Sequence, residues 1–233
     1  MKIFVITLKN ANLRQEKIIE QFNQIGIEFE FFYGVDGRLP NVDFEYYSES
    51  KRLIRFGNKL SKTQLGCFAS HYNMWRKCVE LNQSIIVLED DIFLSNDFVD
   101  KKSLVESALS TLQFLRLCGL TIDRKNTPVF DGVVRFLAGV SGTQGYAITP
   151  NTALKFIQHA SFWLEPVDDY IDKVWVHGVP SYCILPRIVM PNDDEPSNMI
   201  RSEKQKIKFI YRVTRELYRF YSDIRRVIFN LHC

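Results

Sequence analysis

Apolar positions along this chain come in short dense runs separated by polar stretches with helical spacing. Residues 2–8 hold Ile3, Phe4, Val5 and Ile6 in succession, the pattern of a strand buried on both faces. Leu13, Ile18, Ile19 and Phe22 recur at helical intervals, and Gly26 marks the stop. Residues 27–33 read as a second strand, ended by Gly34-Val35-Asp36-Gly37. Residues 38–59 are polar, aromatic and aperiodic, which predicts a long loop. Ser61-Lys62-Thr63-Gln64 is a capping box and predicts a helix to about Leu81. Residues 84–88 form a third apolar strand that runs directly into Glu89, Asp90 and Asp91.

Beyond that point the signals shorten. Residues 95–98 read as a turn, 101–111 as a helix, and 114–117 and 133–137 as short strands. Gly142-Thr143-Gln144-Gly145 leads into a strand at 146–149. Pro150 and Asn151 open a helix to about His159, residues 168–177 read as helical, and 181–185 as a final strand. Strands alternating with helices through residue 100 predict an α/β sheet with helices on its faces. Ligands of such sheets sit at the carboxyl ends of the strands, where Glu89-Asp90-Asp91 falls.

The 233 residues suit one domain with an appendage, and 18 Phe in a chain 46% hydrophobic exclude a disordered chain. Five Cys without C-x-x-C spacing exclude a zinc ribbon and a disulfide framework, and read as core thiols in a reducing compartment. The apolar run at the start is shorter than a signal-peptide core or a membrane span needs, and no other stretch approaches that length, so a soluble or peripheral protein is expected. Net charge is +3, but unevenly placed. Residues 201–233 hold nine Lys/Arg against three Asp/Glu, while residues 1–200 hold 21 against 24. The division expected is a catalytic domain over 1–200 and a basic amphipathic helix over 201–233.

Three adjacent carboxylates repel one another unless something neutralises them. A hard divalent cation such as Mn²⁺ or Mg²⁺ does so with oxygen ligands. Alternation along a strand puts Glu89 and Asp91 on one face. The apolar strand and acidic turn together therefore read as a metal site that also binds a diphosphate. An acidic loop with solvated charges is the alternative from the residues alone.

V-L-E-D-D at 87–91 resembles the D-x-D-type motif of glycosyltransferase family 25, which includes bacterial lipooligosaccharide transferases and collagen galactosyltransferases. Further likenesses follow in order: the opening strand with Arg14, Gly34-Val35-Asp36-Gly37, Gly66-Cys67 with Ser70-His71 and Trp75, Gly142-Thr143-Gln144-Gly145-Tyr146, and Pro166 with Asp168. Together they span about residues 2–200. The resemblance implies a GT-A-like nucleotide-sugar-binding sheet flanked by helices, a UDP-hexose donor, and inverting transfer of galactose or glucose onto a lipooligosaccharide. It makes Asp91 the first metal ligand, with Glu89 beside it on the metal or the donor's ribose. Asp90 joins Thr7, Leu8, Asn10, Arg14, Asp36, Gly142, Thr143 and Gln144 as a nucleotide-sugar contact. The third ligand stays unassigned: His177 is a candidate, with an ordinary histidine at a helix C-terminus as its alternative reading, and Asp193 and Asp194 could serve instead. Inversion needs a base within hydrogen-bond reach of the acceptor hydroxyl, and Asp168 and Asp169 are the candidates; helix capping is their alternative reading. For His71, one helical turn from Cys67 and Trp75, a hydrogen-bonded core position is expected. Trp163, Trp175 and Tyr170 are core aromatics or sugar-stacking platforms.

On a helical wheel Ile210, Val213, Leu217, Phe220, Ile224, Val227 and Leu231 form one stripe, with Lys208, Arg212, Arg215, Arg219 and Arg226 opposite. That pattern suits docking on an anionic membrane surface through Lys206 to Arg226, with a helix closing the core or a dimer interface as the alternative. The resemblance places the protein in the cytoplasm, peripheral on the inner face of a bacterial inner membrane. No recognition motif accompanies the charge, so nucleic acid is not expected as a partner. Two other functions compete. A metal-dependent phosphohydrolase would want D-x-D-x-T, whereas Ile92-Phe93-Leu94 follow Asp91. A non-catalytic nucleotide-sugar-binding protein would not need the full acidic cluster.

Overall fold

The computed structural model describes residues 1–130, 132–192 and 208–232. In chain order the elements are β1 (Lys2–Thr7), α1 (Asn12–Ile25), β2 (Glu30–Tyr33), α2 (Glu49–Phe56), α3 (Lys62–Leu81), β3 (Ile85–Glu89), β4 (Ile92–Leu94) and α4 (Phe98–Leu112). There follow β5 (Phe114–Arg116), β6 (Asn126–Phe130), β7 (Val133–Phe136), β8 (Gly145–Ile148), α5 (Pro150–His159), α6 (Val167–Ile171), α7 (Val174–His177), β9 (Ser181–Ile184), β10 (Val189–Pro191) and α8 (Phe209–His232). Eight strands form one mixed sheet in the order β2-β1-β3-β8-β5-β9-β7-β6, and β10 pairs with β4 separately. The α/β class read from the alternating pattern is what is observed.

The apolar strands are continuous because the sheet is covered on both faces. Phe4, Ile6, Ile85, Val87, Tyr146 and Ile148 point into one core with α3 and α5. Ile3, Val5, Ile86, Leu88 and Ala147 point into the other with α1 and α4. The first core is aromatic: Trp75 is fully buried, and Phe68 stacks on Trp163 with centroids 4.8 Å apart. Truncating one such side chain to Ala costs about 3–5 kcal/mol. Trp163 and Tyr170 are therefore core residues, while Trp175 remains half-buried.

The capping box is formed: Ser61 Oγ accepts from the Gln64 amide, and Gln64 Oε1 accepts from the Ser61 amide. Close approach then seats the loop after β2 on α3. A Cβ on Gly37 would collide with the Lys62 carbonyl, and one on Gly66 would lie 2.6 Å from the Val35 carbonyl oxygen. Both glycines are required for that contact.

Four expectations need correction. The loop at 38–59 contains α2, which is held by tertiary contacts rather than by its own pattern: buried Arg52 donates to the Leu164 carbonyl and to Asn58. The helix at 168–177 is two short helices, because the chain turns at Asp172, whose side chain is drawn inward. The edge strand β6 was invisible because its residues are nearly all exposed and include Pro128. Strand 181–185 is not the last, since β10 pairs with β4.

Helix α8 packs on α2 and α7. Tyr218 meets Phe56 edge-on at 5.3 Å and accepts from Lys173, and Arg226 donates to the Asp172 carbonyl. The face it turns inward is thus polar and aromatic. Ile210, Val213, Leu217, Phe220, Ile224, Val227 and Leu231 all stay exposed, which overturns the core-closing alternative for that stripe within the chain. Arg215 and Arg226 turn toward the body instead of flanking the stripe. Lys206 lies outside the described residues. No helix among the described residues is long and apolar enough to cross a membrane.

Candidate functional site

Strands β1 and β3 run parallel, with Ile6 beside Glu89, so both release their chain at the same edge of the sheet. Thr7 and the acidic cluster are brought together there. Thr7 Oγ1 donates to Asp90 Oδ2 at 2.6 Å, and Arg14 from α1 donates to Asp90 Oδ1 at 2.9 Å. Asp90 is thus the anchored member of the cluster. Arg14 also lies 3.8 Å from Asp91 Oδ2, which makes it an internal counter-charge of the acidic turn.

Glu89 is held from the other side. Its Oε1 meets His71 Nε2 at 3.2 Å and accepts a short hydrogen bond from Thr143. His71 Nδ1 contacts the Tyr146 hydroxyl at 2.9 Å, and that hydroxyl accepts from Trp75 Nε1. Burial alone would raise the Glu89 carboxyl, but the hydrogen bond and charge of His71, with Thr143 and Arg14, carry it below its ordinary value. His71 is the hydrogen-bonded buried histidine expected, yet it is also wall of the site. Its link to Glu89 spans 18 residues, so nothing local in the sequence signals it.

Asp91 differs from both neighbours. Burial, with Glu89 and Asp90 nearby, pushes its carboxyl up to about 7, opposed by Arg14. Its Oδ1 is buried and has no hydrogen-bond partner. An unpaired buried carboxylate oxygen is costly, and a hard cation would satisfy it. The donor set fits such a cation. Among the described residues, Cys67, His71 and Glu89 also bring one ligand atom each within 4.8 Å of one another. Burial and the carboxylates of Glu89, Asp168 and Asp91 hold the Cys67 thiol well above its usual range, so it is a poor ligand there.

These groups line a cavity of about 150 Å³ with Thr7, Leu8, Asp36 and Gln144. Arg38, Thr63 and Cys67, which the sequence did not single out as site residues, line it too. Asp36 is paired with Arg38 at 2.7 Å, and Gln144 Oε1 is buried without a partner. Gly142 adopts φ +85°, and its amide donates to Asp168 Oδ2 at 3.3 Å. The loop thus directs that amide to Asp168. Asn10 is exposed and does not line the cavity.

His177 is a further correction. Its Nε2 pairs with the Ile171 carbonyl at 3.1 Å, and its Nδ1 accepts from the Val179 amide. Buried against the rings of Phe156 and Tyr170, it has no nitrogen left for a metal. Asp193 and Asp194 lie outside the described residues. Asp168 and Asp169, neighbours on α6, serve different surroundings. Asp168 is tied to Gly142, whereas Asp169 lines a separate cavity toward α8. Desolvation and the carboxylates of Asp168, Asp172 and Glu165 push Asp169 up to about 6, although the residue is exposed to solvent.

A buried ion pair that the sequence did not signal fixes the loop before Gly142. Arg116 on β5 donates to Asp172 Oδ1 at 2.9 Å and to the Gly142 carbonyl. Asp172 Oδ2 accepts from the amides of Val140 and Ser141.

The family described as glycosyltransferase family 25 (LPS biosynthesis protein) matches residues 1–171, the segment that carries every residue of this cavity. The chain belongs to glycosyltransferase family 25. An Aedes aegypti glycosyltransferase 25 family member is 32% identical over 186 residues, covering 72% of this chain and 30% of the relative. The Haemophilus influenzae lipooligosaccharide biosynthesis protein lic2B is 25% identical, covering 87% of this chain and 83% of that one. The Xenopus laevis procollagen galactosyltransferase 1-B is 26% identical, covering 78% and 32%. The chain thus spans about a third of the length of the Aedes and Xenopus family 25 relatives. Helix α8 lies wholly beyond the family match.

Proposed function

We propose that this family 25 protein is a metal-dependent, inverting glycosyltransferase. It moves galactose or glucose from a UDP-sugar to a hydroxyl of a lipooligosaccharide. The observation that carries the reading is the unpartnered, buried Oδ1 of Asp91 at the carboxyl end of β3, in the cavity shared with Thr7, Leu8, Asp36 and Gln144. Relatives named for lipooligosaccharide biosynthesis and procollagen galactosyl transfer support the reaction class.

In this mechanism Asp91 and Glu89 would hold Mn²⁺ or Mg²⁺. The bound cation would neutralise the diphosphate as it leaves. Arg14 and Thr7 fix Asp90 so that the acidic turn keeps its shape without further reorganisation. His71 and Thr143 keep Glu89 ionised and oriented. Asp168, whose Oδ2 is held by the Gly142 amide, is the proposed base: it takes the proton of the acceptor hydroxyl as the new bond to the anomeric carbon forms and the bond to UDP breaks. Asp169 remains the alternative base, and Asp→Asn at each position separates the two. Loss of transfer with UDP still bound marks the base.

The exposed apolar row of α8, flanked by exposed Arg212 and Arg225, supports docking on an anionic membrane surface. The protein would then work peripherally on the inner face of a bacterial inner membrane. Liposome sedimentation tests this: equal binding by full-length protein and by Leu217→Glu/Phe220→Glu protein would remove the membrane role.

The deciding assay is UDP release from a panel of UDP-sugars with Mn²⁺, using wild-type and Asp91→Ala protein. Release from UDP-galactose or UDP-glucose that vanishes with chelator and in the variant is expected. Binding of UDP-sugar without turnover, under all acceptors and metals, would instead favour a non-catalytic binding protein.

A further inference from the structure

The cavity that Asp169 faces has no part in the reading above except at that residue. It measures about 470 Å³ and lies between the loop at 138–141, helix α2 and helix α8. Six basic and three acidic side chains line it. Some of this charge is used internally: Lys173 pairs with Glu165 at 2.6 Å, and Asp172 with Arg116. Arg55, Arg124 and Arg226, by contrast, have no carboxylate partner among the described residues. Arg55 and Arg226 lie over the rings of Tyr218 and Trp175 instead.

A second observation points to a ligand with hydroxyl groups. Glu165 is buried to 6% exposure, and its Oε2 has no hydrogen-bond partner although its Oε1 is paired. A buried acceptor on a cavity wall calls for a donor from what enters the cavity. Trp175, Tyr218 and Phe56 add aromatic surface suited to the apolar face of a sugar ring. A neighbouring cavity of about 340 Å³ shares Glu165, Lys173, Trp175 and Tyr218, so the surface extends beyond one sugar unit. Guanidinium groups bind carboxylate or phosphate through paired hydrogen bonds.

We infer that this cavity is an acceptor subsite for a sugar unit carrying an anionic substituent, a carboxylate or a phosphate. The arginines take the anion, Glu165 takes a hydroxyl, and the aromatic rings take the ring face. The inference deepens the transferase reading and rests on it for the word acceptor. Asp169 faces this cavity and its neighbour Asp168 is tied to the Gly142 loop, so a sugar bound here lies beside the α6 carboxylates. Much of the wall comes from α8, which lies beyond the family match. The subsite is accordingly shared between the matched segment, which supplies Arg55, Arg124, Glu165 and Asp169, and α8, which supplies Tyr218 and Arg226.

The test is calorimetric titration of the full chain with glucuronic acid, glucose 6-phosphate, glucose and inorganic phosphate. At least one acidic sugar should bind tenfold or more tightly than both glucose and phosphate, and comparing the two acids names the substituent. Arg55→Ala/Arg124→Ala, at two exposed positions, should weaken that binding about tenfold while UDP release from the donor is unchanged. Equal binding of glucose, equal binding of phosphate alone, no binding by any probe, or an unaffected double variant would each overturn the inference. Donor turnover in the same preparation separates it from the transferase reading. UDP release without acidic-sugar binding overturns the subsite alone. Acidic-sugar binding without any UDP release overturns the transferase reading and leaves the ligand class standing.

Discussion

Replacing Asp172 by Ala removes more than one interaction at once. Arg116 is 1% exposed, so the guanidinium would be left as an uncompensated buried charge. The amides of Val140 and Ser141, 2.9 and 2.8 Å from Asp172 Oδ2, would lose their acceptor. Breaking a buried pair by removing one partner costs about 3–5 kcal/mol. Against a total stability of about 5–15 kcal/mol, that is a large fraction. For a chain of this size about 2–4 °C is lost per kcal/mol, so the melting temperature should fall by roughly 6–20 °C. Arg116→Met should cost less, because the Asp172 carboxylate keeps both amide donors. Thermal unfolding of both variants and of Arg116→Met/Asp172→Leu measures this. The double variant should recover part of the loss, since it buries no lone charge. An Asp172→Ala protein melting within about 2 °C of wild type would refute the reasoning, as would a double variant no better than the worse single one.

His177 gives a pH prediction. Burial holds its folded pKa down to about 3, against an ordinary value of 6.5, so the unfolded chain binds the proton first as pH falls. Stability from this group is intact above pH 6.5 and is lost progressively toward pH 3, by about 2 kcal/mol at pH 5. In urea unfolding at pH 7 and 5, His177→Leu should show a pH dependence smaller by that amount; an unchanged dependence would disprove it. Asp91 has the opposite sign. Its folded pKa is raised from 3.8 to about 7, so in chelator its ionisation opposes folding increasingly as pH rises between those values, by at most about 4 kcal/mol. Asp91→Asn should therefore be more stable than wild type at pH 8 in chelator. A less stable variant would mean that the carboxylate is satisfied within the chain.

The strands, the α3 helix and the acidic turn were legible because each rests on local physics. Continuous apolar runs signal sheets covered on both faces, Ser61 and Gln64 cap each other within one turn, and charge repulsion between Glu89, Asp90 and Asp91 is inherent in their adjacency. The family's ordered motifs supplied the rest of the site in outline. What the sequence could not decide is which partner each polar group meets across the fold. Asp90, Glu89 and Asp91 are adjacent carboxylates, yet Arg14 on Asp90, His71 on Glu89 and the unpaired Oδ1 of Asp91 give them three different characters. His177 has the right chemistry for a metal and is excluded only because Ile171 and Val179 occupy its nitrogens. The wheel of α8 was correct in its stripe, but an amphipathic pattern does not say which face meets the protein. Tertiary packing chose the polar, aromatic face for the body and left the apolar one outside, because Tyr218, Arg226 and Lys173 find one another only when α2, α7 and α8 are together.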